Sequence, residues 1–94
     1  MVKLIARIEA KAGSETLVAE ALAELSGPSN EEPGCIEYVV CRGAEDATKL
    51  YVLEEWKTQE DLDAHMELPH FKAFLAKVGE ALAGPPEIEF IEKV

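Results

Sequence analysis

Two hydrophobic periodicities follow one another along this chain, in the order strand, helix, strand, strand, helix, strand. Apolar residues alternate with their neighbours, as in β-strands, in four segments: residues 2–10, 35–42, 49–56 and 87–92. Between them, apolar residues recur at helical spacing, in the stripes Leu17, Val18, Ala21, Leu22, Leu25 and Phe71, Phe74, Leu75, Val78, Leu82. This βαββαβ order predicts an α+β, ferredoxin-like fold, in which helices cover one face of a four-stranded antiparallel sheet.

Capping and helix-breaking residues indicate where the helices begin and end. Ser14 and Thr58 suit N-cap positions, and Asp61 resembles the partner of Thr58 in a capping box. Gly27-Pro28 is expected to end regular helix, with one irregular turn running on towards Glu32.

The two middle strands are apolar on both sides. Alternating positions carry Ile36, Tyr38 and Val40 against Cys35, Val39 and Cys41, then Leu50 and Val52 against Tyr51 and Leu53. Strands that are apolar on both faces need cover on both faces, and the helices of one chain can cover only one. We therefore expect a homodimer whose bare sheet faces pack together under two-fold symmetry, because the alternative is a large exposed apolar patch.

Size and charge exclude several classes of function. A chain of 94 residues can build one hydrophobic core, so residues 1–94 are expected to form a single domain. A formal charge of −10 argues against binding to nucleic acid and to anionic membranes. No apolar run approaches the ~20 residues that span a bilayer. Cys35 and Cys41 lie too far apart along one strand for a disulfide, so reduced thiols and a cytoplasmic location are expected.

Aromatic and imidazole side chains concentrate where the third strand meets the following helix. Trp56 is the only tryptophan and ends that strand. It is followed by both histidines and two phenylalanines, namely His65, His70, Phe71 and Phe74. Pro69 separates the histidines and is expected to begin a new helix. The rings of Trp56, Phe71 and Phe74, with Tyr38 and Tyr51, are expected to wall a flat cavity between the sheet and the helices; the alternative is that they only pack in the core, as phenylalanines at helical spacing usually do.

Both histidines lie at the edges of apolar helical stripes. A neutral imidazole at such an edge can act as a base for a phenolic or enolic proton. The alternative is a pair of half-exposed surface histidines, with Asp61 pairing with His65. No metal is expected, because two histidines five positions apart across a proline lack the i, i+4 geometry of zinc-binding helices. Arg7, in an apolar strand, either pairs with a carboxylate across the sheet or steadies an anionic intermediate.

Five stretches of the chain resemble the antibiotic biosynthesis monooxygenase domain family of dimeric α+β barrel proteins. They are IARIEAKAG (5–13), EEPGCIEYVV (31–40), LYVLEEW (50–56), AHMELPHFKAF (64–74) and GPPEIE (84–89). The resemblance implies oxidation of a small quinol or phenol by O2 without flavin, metal or haem. It also implies that Trp56 stacks on the substrate, that His65 is the base, and that His70 and Arg7 supply polar contacts.

The resemblance leaves two other functions open. A relative in the same superfamily has a similar His-x4-His-aromatic segment and isomerises a phosphorylated sugar, which implies proton shuttling by His65 and His70 without O2. A third possibility is a non-catalytic dimer that binds a small molecule, since one fold hosts several activities.

Overall fold

A computed structural model describes all 94 residues and shows a four-stranded antiparallel sheet with helices on one face. The elements are β1 (Val2–Glu9), α1 (Glu15–Asn30), β2 (Cys35–Arg42), β3 (Lys49–Trp56), α2 (Gln59–Glu67), α3 (Pro69–Val78), a 3-10 turn (Gly79–Ala81) and β4 (Glu87–Ile91). The strand order is β2-β3-β1-β4, and every neighbouring pair is antiparallel. The predicted ferredoxin-like α+β fold is confirmed.

The covered face of the sheet holds the hydrophobic core. Leu4, Ala6 and Ile8 of β1 and Leu50 and Val52 of β3 are buried there, because alternate strand residues point to the same side. They belong to one cluster with buried residues of α1, namely Val18, Ala21, Leu22 and Leu25, and with Phe74 and Val78 of α3. The predicted helical stripes therefore form the other half of this core, apart from Leu17 and Leu75, which are exposed.

The ends of α1 differ from the sequence prediction. Ser14 occupies the N-cap position but its side chain makes no capping hydrogen bond. The Glu15 carboxylate instead accepts from the backbone N–H of Gly13 at 2.8 Å. Regular helix in α1 continues through Pro28 to Asn30, beyond the predicted end at Gly27-Pro28 and into the turn that was expected to be irregular. Packing explains the extension, because Ser29 beyond the proline is completely buried.

The start of α2 and the break at Pro69 are confirmed. The hydroxyl of Thr58 accepts from the backbone N–H of Asp61 at 3.1 Å and donates to the Asp61 carboxylate at 2.9 Å. Pro69 occupies the first turn of α3. Leu68 before it is extended, with φ −74° and ψ 150°, because a residue that precedes proline avoids the α region.

The second face of the sheet, which we call the open face, carries no helix. At its centre Ile5, Leu53, Tyr51 and Cys41 are partly exposed, and Val39 keeps 44% of its surface exposed.

A β-bulge between Cys35 and Glu37 shifts the register of β2. Cys35 consequently packs against the core cluster, whereas Cys41 pairs with Tyr51 on the open face. The prediction that both cysteines share one face is therefore wrong, although both are free thiols. None of the helices combines the length and the hydrophobicity that a membrane span requires.

Candidate functional site

The corner between α2 and α3 brings the two histidines together. His65 lies in the last turn of α2 and His70 in the first turn of α3. The extended backbone at Leu68 redirects the chain between them, and their ring centroids are 5.9 Å apart. The histidines lie on two different helices, so they lack the i, i+4 geometry of one helix, but the bend at the proline turns one ring towards the other.

One carboxylate oxygen joins both imidazoles. Oε2 of Glu32 lies 2.7 Å from Nδ1 of His65 and 2.8 Å from Nε2 of His70. Glu32 stands in the turn between α1 and β2, where its carbonyl accepts from the backbone N–H of Cys35. Its side chain is 9% exposed, against 1% for His65 and 26% for His70. The cluster Glu32–His65–His70, called the imidazole cluster below, is therefore largely shielded from water.

The geometry fixes the protonation pattern of a neutral His65. Because an ionised carboxylate only accepts hydrogen bonds, Nδ1 of His65 must carry the proton that lies between it and Glu32. The other nitrogen, Nε2, is then an acceptor with a free lone pair. It is buried and has no hydrogen-bond partner. Buried acceptors in native structures are normally hydrogen-bonded, so an unpaired one favours a catalytic or ligand-binding role for this nitrogen.

Aromatic rings surround His65. The ring centroids of Trp56, Phe71 and Tyr38 lie 4.7, 5.1 and 5.6 Å from that of His65. Trp56 has no exposed surface, Tyr38 is 4% exposed and Phe71 is half-buried. The flat cavity predicted at Trp56 is thus filled in this structure, since these rings pack against the imidazole itself. His65 is in the interior, so the alternative of two half-exposed surface histidines is wrong for it.

A second buried carboxyl lies beside the tryptophan. Glu54 is 6% exposed, and its Oε1 accepts from Nε1–H of Trp56 at 2.9 Å. Burial raises the pKa of Glu54 from 4.5 to about 7; the hydrogen bond from Trp56 opposes this rise, and the charge of Glu32 adds to it. Burial, together with the charge of Glu54, also raises the pKa of Tyr38. The carboxyl groups of Glu32 and Glu54 therefore share this apolar interior with the histidines.

The structure brings together five of the residues predicted for the site: Tyr38, Trp56, His65, His70 and Phe71. Phe74 is 6% exposed within the core and also lines, with His70, a groove of about 210 Å³ between α1 and α3.

Arg7 and Tyr51 are not brought to the imidazole cluster. Both lie on the open face, opposite the face that carries Trp56. Arg7 forms an ion pair with Glu89 of β4, which confirms the predicted pairing with a carboxylate across the sheet. Arg7 and Tyr51 line a separate groove of about 390 Å³ beside the segment Ala83–Pro85.

Glu32 and Glu54 were not among the residues predicted for the site. Glu54 could have been found, because an acidic residue that alternates with buried positions next to a tryptophan predicts a buried carboxyl. Glu32 lies in an irregular turn, 33 positions before His65, where no periodicity marks it.

A family model described as antibiotic biosynthesis monooxygenase matches residues 1–77 of the chain. The chain is 30% identical over 84 residues to Rv0793 of Mycobacterium tuberculosis, a candidate monooxygenase, and the match covers 89% of this chain and 82% of that protein. It is 36% identical over 62 residues to the uncharacterised protein sll1783 of Synechocystis, which covers 66% of this chain. The matched region spans only 42% of that relative's length.

Solved structures agree on the fold. A candidate antibiotic biosynthesis monooxygenase from Nitrosomonas europaea superposes with a TM-score of 0.94 at 24% identity, over 100% of this chain and 99% of that one. PA3566 from Pseudomonas aeruginosa superposes with a TM-score of 0.90 at 29% identity, over 99% and 93% of the two chains. The first likeness is informative about the fold alone, given its identity.

Proposed function

Because the chain belongs to the antibiotic biosynthesis monooxygenase family, we propose that it is a monooxygenase that uses O2 to oxidise a small quinol- or phenol-like substrate. We propose His65 as the base, Glu32 as the residue that orients it, and Trp56 as the wall on which the substrate ring stacks. The proposed reaction needs no flavin, haem or metal, since the substrate itself is the reductant.

One observation carries the proposal. Nδ1 of His65 is held by Glu32 at 2.7 Å, and Nε2 is left buried, unpaired and surrounded by aromatic rings. This is the arrangement that a general base requires, because a second group orients the ring and stabilises the imidazolium that forms after proton transfer. The aromatic surroundings are suited to a flat substrate, and burial strengthens the electrostatic interaction between imidazolium and carboxylate.

The proposed chemistry balances without a cofactor. Nε2 of His65 removes a proton from the phenolic or enolic substrate, and the anion then transfers one electron to O2. Recombination of the two radicals forms a carbon–oxygen bond, and the imidazolium of His65 returns its proton to the peroxide anion. Loss of water from the resulting peroxide leaves one oxygen atom in the product, and both electrons for that water come from the substrate. The protein contributes orientation, desolvation and stabilisation of the charged intermediate.

A substrate reaches His65 only after a neighbouring side chain moves, because Trp56 and Tyr38 are buried. Phe71 is the most exposed of the carbocyclic rings packed on His65 and belongs to the first turn of α3. We propose that Phe71 and the α2–α3 corner move aside to admit the substrate. Opening and closing of loops over an active site limit kcat in many enzymes.

Oxygen consumption tests the proposal directly. We expect uptake of O2 with hydroquinones or anthrones, and a fall in kcat of about 10²–10⁴-fold in His65→Gln, the range typical of general base removal. Glu32→Gln should also lose turnover, whereas Glu31→Gln, at the neighbouring exposed position, should not. No uptake with any of these substrate classes, or unchanged turnover in His65→Gln, would contradict the proposal.

The shared carboxylate favours a second candidate function. His65 and His70 both contact the same oxygen of Glu32, so a proton taken by one imidazole could be returned by the other. This arrangement suits an isomerase that acts on a small keto-sugar-type metabolite. Exchange of substrate hydrogen for deuterium in heavy water, without O2 consumption, would favour this function over oxygenation. Ligand binding without either reaction would leave a non-catalytic binding dimer.

We also propose that two chains pair through their open faces. The centre of that face is apolar and partly exposed, with Val39 and Leu53 facing each other across β2 and β3. Charged residues, among them Lys3, Arg7, Glu37 and Glu55, surround this centre. An apolar centre with a polar rim is the usual composition of a homodimer interface.

A further inference from the structure

We propose that the imidazole cluster is a binding site for one borderline divalent metal ion, of the class Zn²⁺, Co²⁺ or Ni²⁺. Nδ1 of His65, Nε2 of His70 and a carboxylate oxygen of Glu32 all lie within 4.8 Å of one another. Two imidazole nitrogens and one carboxylate are a donor set that holds zinc in sites with an open fourth position. This inference depends on the positions of the three donors and not on the proposed oxygenation.

Binding an ion requires an adjustment of all three donors. A tetrahedral ion bonded at about 2.0–2.1 Å to each donor separates the donors by about 3.4 Å. The two imidazole nitrogens lie within 4.8 Å of each other and have to be about 3.4 Å apart in the bound state. The two contacts of Glu32 Oε2 are now 2.7 and 2.8 Å, so the carboxylate has to withdraw by about 0.6–0.7 Å from the imidazoles to reach that separation. Glu32 lies in a turn and not in a helix or strand, and rotation about its side-chain bonds supplies such a shift.

The three ligands also provide a route for the ion. His70 is the most exposed, at 26%, and His65 the least, at 1%. The ion therefore enters beside His70, and a water molecule can complete its coordination from that side. The formal charge of −10 raises the local concentration of cations around the protein.

Metal binding excludes the base function of His65. When Nδ1 of His65 binds the ion, the proton of a neutral ring moves to Nε2, and the free lone pair is lost. Nε2 has no acceptor in this structure. Histidine ligands normally donate their second N–H to an acceptor, and loss of such a contact weakens metal binding by about 10–100-fold. We therefore expect dissociation constants on the order of micromolar rather than nanomolar.

Titration of the metal-free protein with Co²⁺, followed by visible d–d absorption, and with Zn²⁺, followed by calorimetry, tests this site. We expect one ion per chain, at least tenfold weaker binding in Glu32→Gln and His70→Gln, and unchanged binding in Glu31→Gln. Binding of equal strength in all four proteins would overturn the proposal, because it would show adventitious contacts of surface carboxylates. Absence of saturable binding in the wild type would also overturn it.

A measurement on the wild type alone covers the case in which a variant does not fold. The chain contains only two histidines, so their side-chain NMR resonances are easy to assign. Zn²⁺ should shift the resonances of both rings together, and unchanged resonances at saturating Zn²⁺ would contradict the assignment. Neither readout involves substrate or O2, so failure of this site and failure of the proposed oxygenase are distinguishable.

Discussion

Replacing Glu54 by glutamine is expected to change how the stability of the protein depends on pH. Glu54 is 6% exposed, and burial raises its pKa from 4.5 in an ordinary environment to about 7. Between these two values the folded protein binds a proton that the unfolded chain releases. The free energy of unfolding therefore falls as pH rises through this window, because proton binding is greater in the folded state.

The size of the effect follows from the two pKa values. At about 1.4 kcal/mol per pKa unit, a rise from 4.5 to about 7 corresponds to roughly 3 kcal/mol of stability lost between pH 4.5 and pH 7.5. Glutamine carries no charge and keeps an oxygen that can accept from Nε1–H of Trp56. Glu54→Gln should thus match the wild type near pH 4.5 and exceed it by about 3 kcal/mol at pH 8.

Urea unfolding at several pH values, with equal slopes verified for each protein, measures this difference. Glu55→Gln is the matched control, because Glu55 is the next residue of β3 and faces the open side. Its stability relative to the wild type should change far less with pH. A difference between Glu54→Gln and the wild type that stays constant from pH 4.5 to pH 8 would refute the argument from burial.

Two further predictions concern packing and assembly. A Cβ added at Gly34 would clash with the side chain of Asp61, whereas one added at Gly79 meets nothing within 4 Å. Gly34→Ala should therefore lower the free energy of unfolding by about 1–3 kcal/mol, and Gly79→Ala should not. Equal stabilities of the two variants in urea would contradict this prediction, because they would show that Asp61 moves aside without cost. Leu53→Glu places a charge at the centre of the open face and should give a monomer by light scattering. Leu75→Glu, at an exposed helix position, should leave the dimer intact. A monomeric wild-type protein would contradict the proposed pairing.

The fold could be predicted from sequence because each element carries its own local signal. Alternation marked the strands, and Thr58 with Asp61 marked the start of α2 by a contact that spans three residues. The extension of α1 beyond Pro28 could not be predicted in the same way. It depends on the burial of Ser29 against the rest of the molecule, and such tertiary packing overrides the local tendency of proline to end a helix.

The candidate site was only partly predictable. Trp56, His65 and His70 could be selected because they are rare residue types close together in sequence. Arg7 and Tyr51 could have been excluded, since each alternates with residues that face the core, such as Ala6 and Val52. Glu32 could not be predicted, because it meets the histidines only when the turn after α1 packs against the α2–α3 corner, 33 and 38 positions later in the chain.

The proposed function depends on a buried imidazole, His65, whose Nδ1 is held by Glu32 and whose Nε2 has no hydrogen-bond partner. Nitrogen-15 NMR of the two histidine side chains in metal-free protein at pH 8 measures this directly. We expect His65 to show a protonated Nδ1 and an unprotonated Nε2 in the wild type, and a loss of this preference in Glu32→Ala. A proton on Nε2 of His65 under these conditions would contradict the proposed base and the contact that orients it.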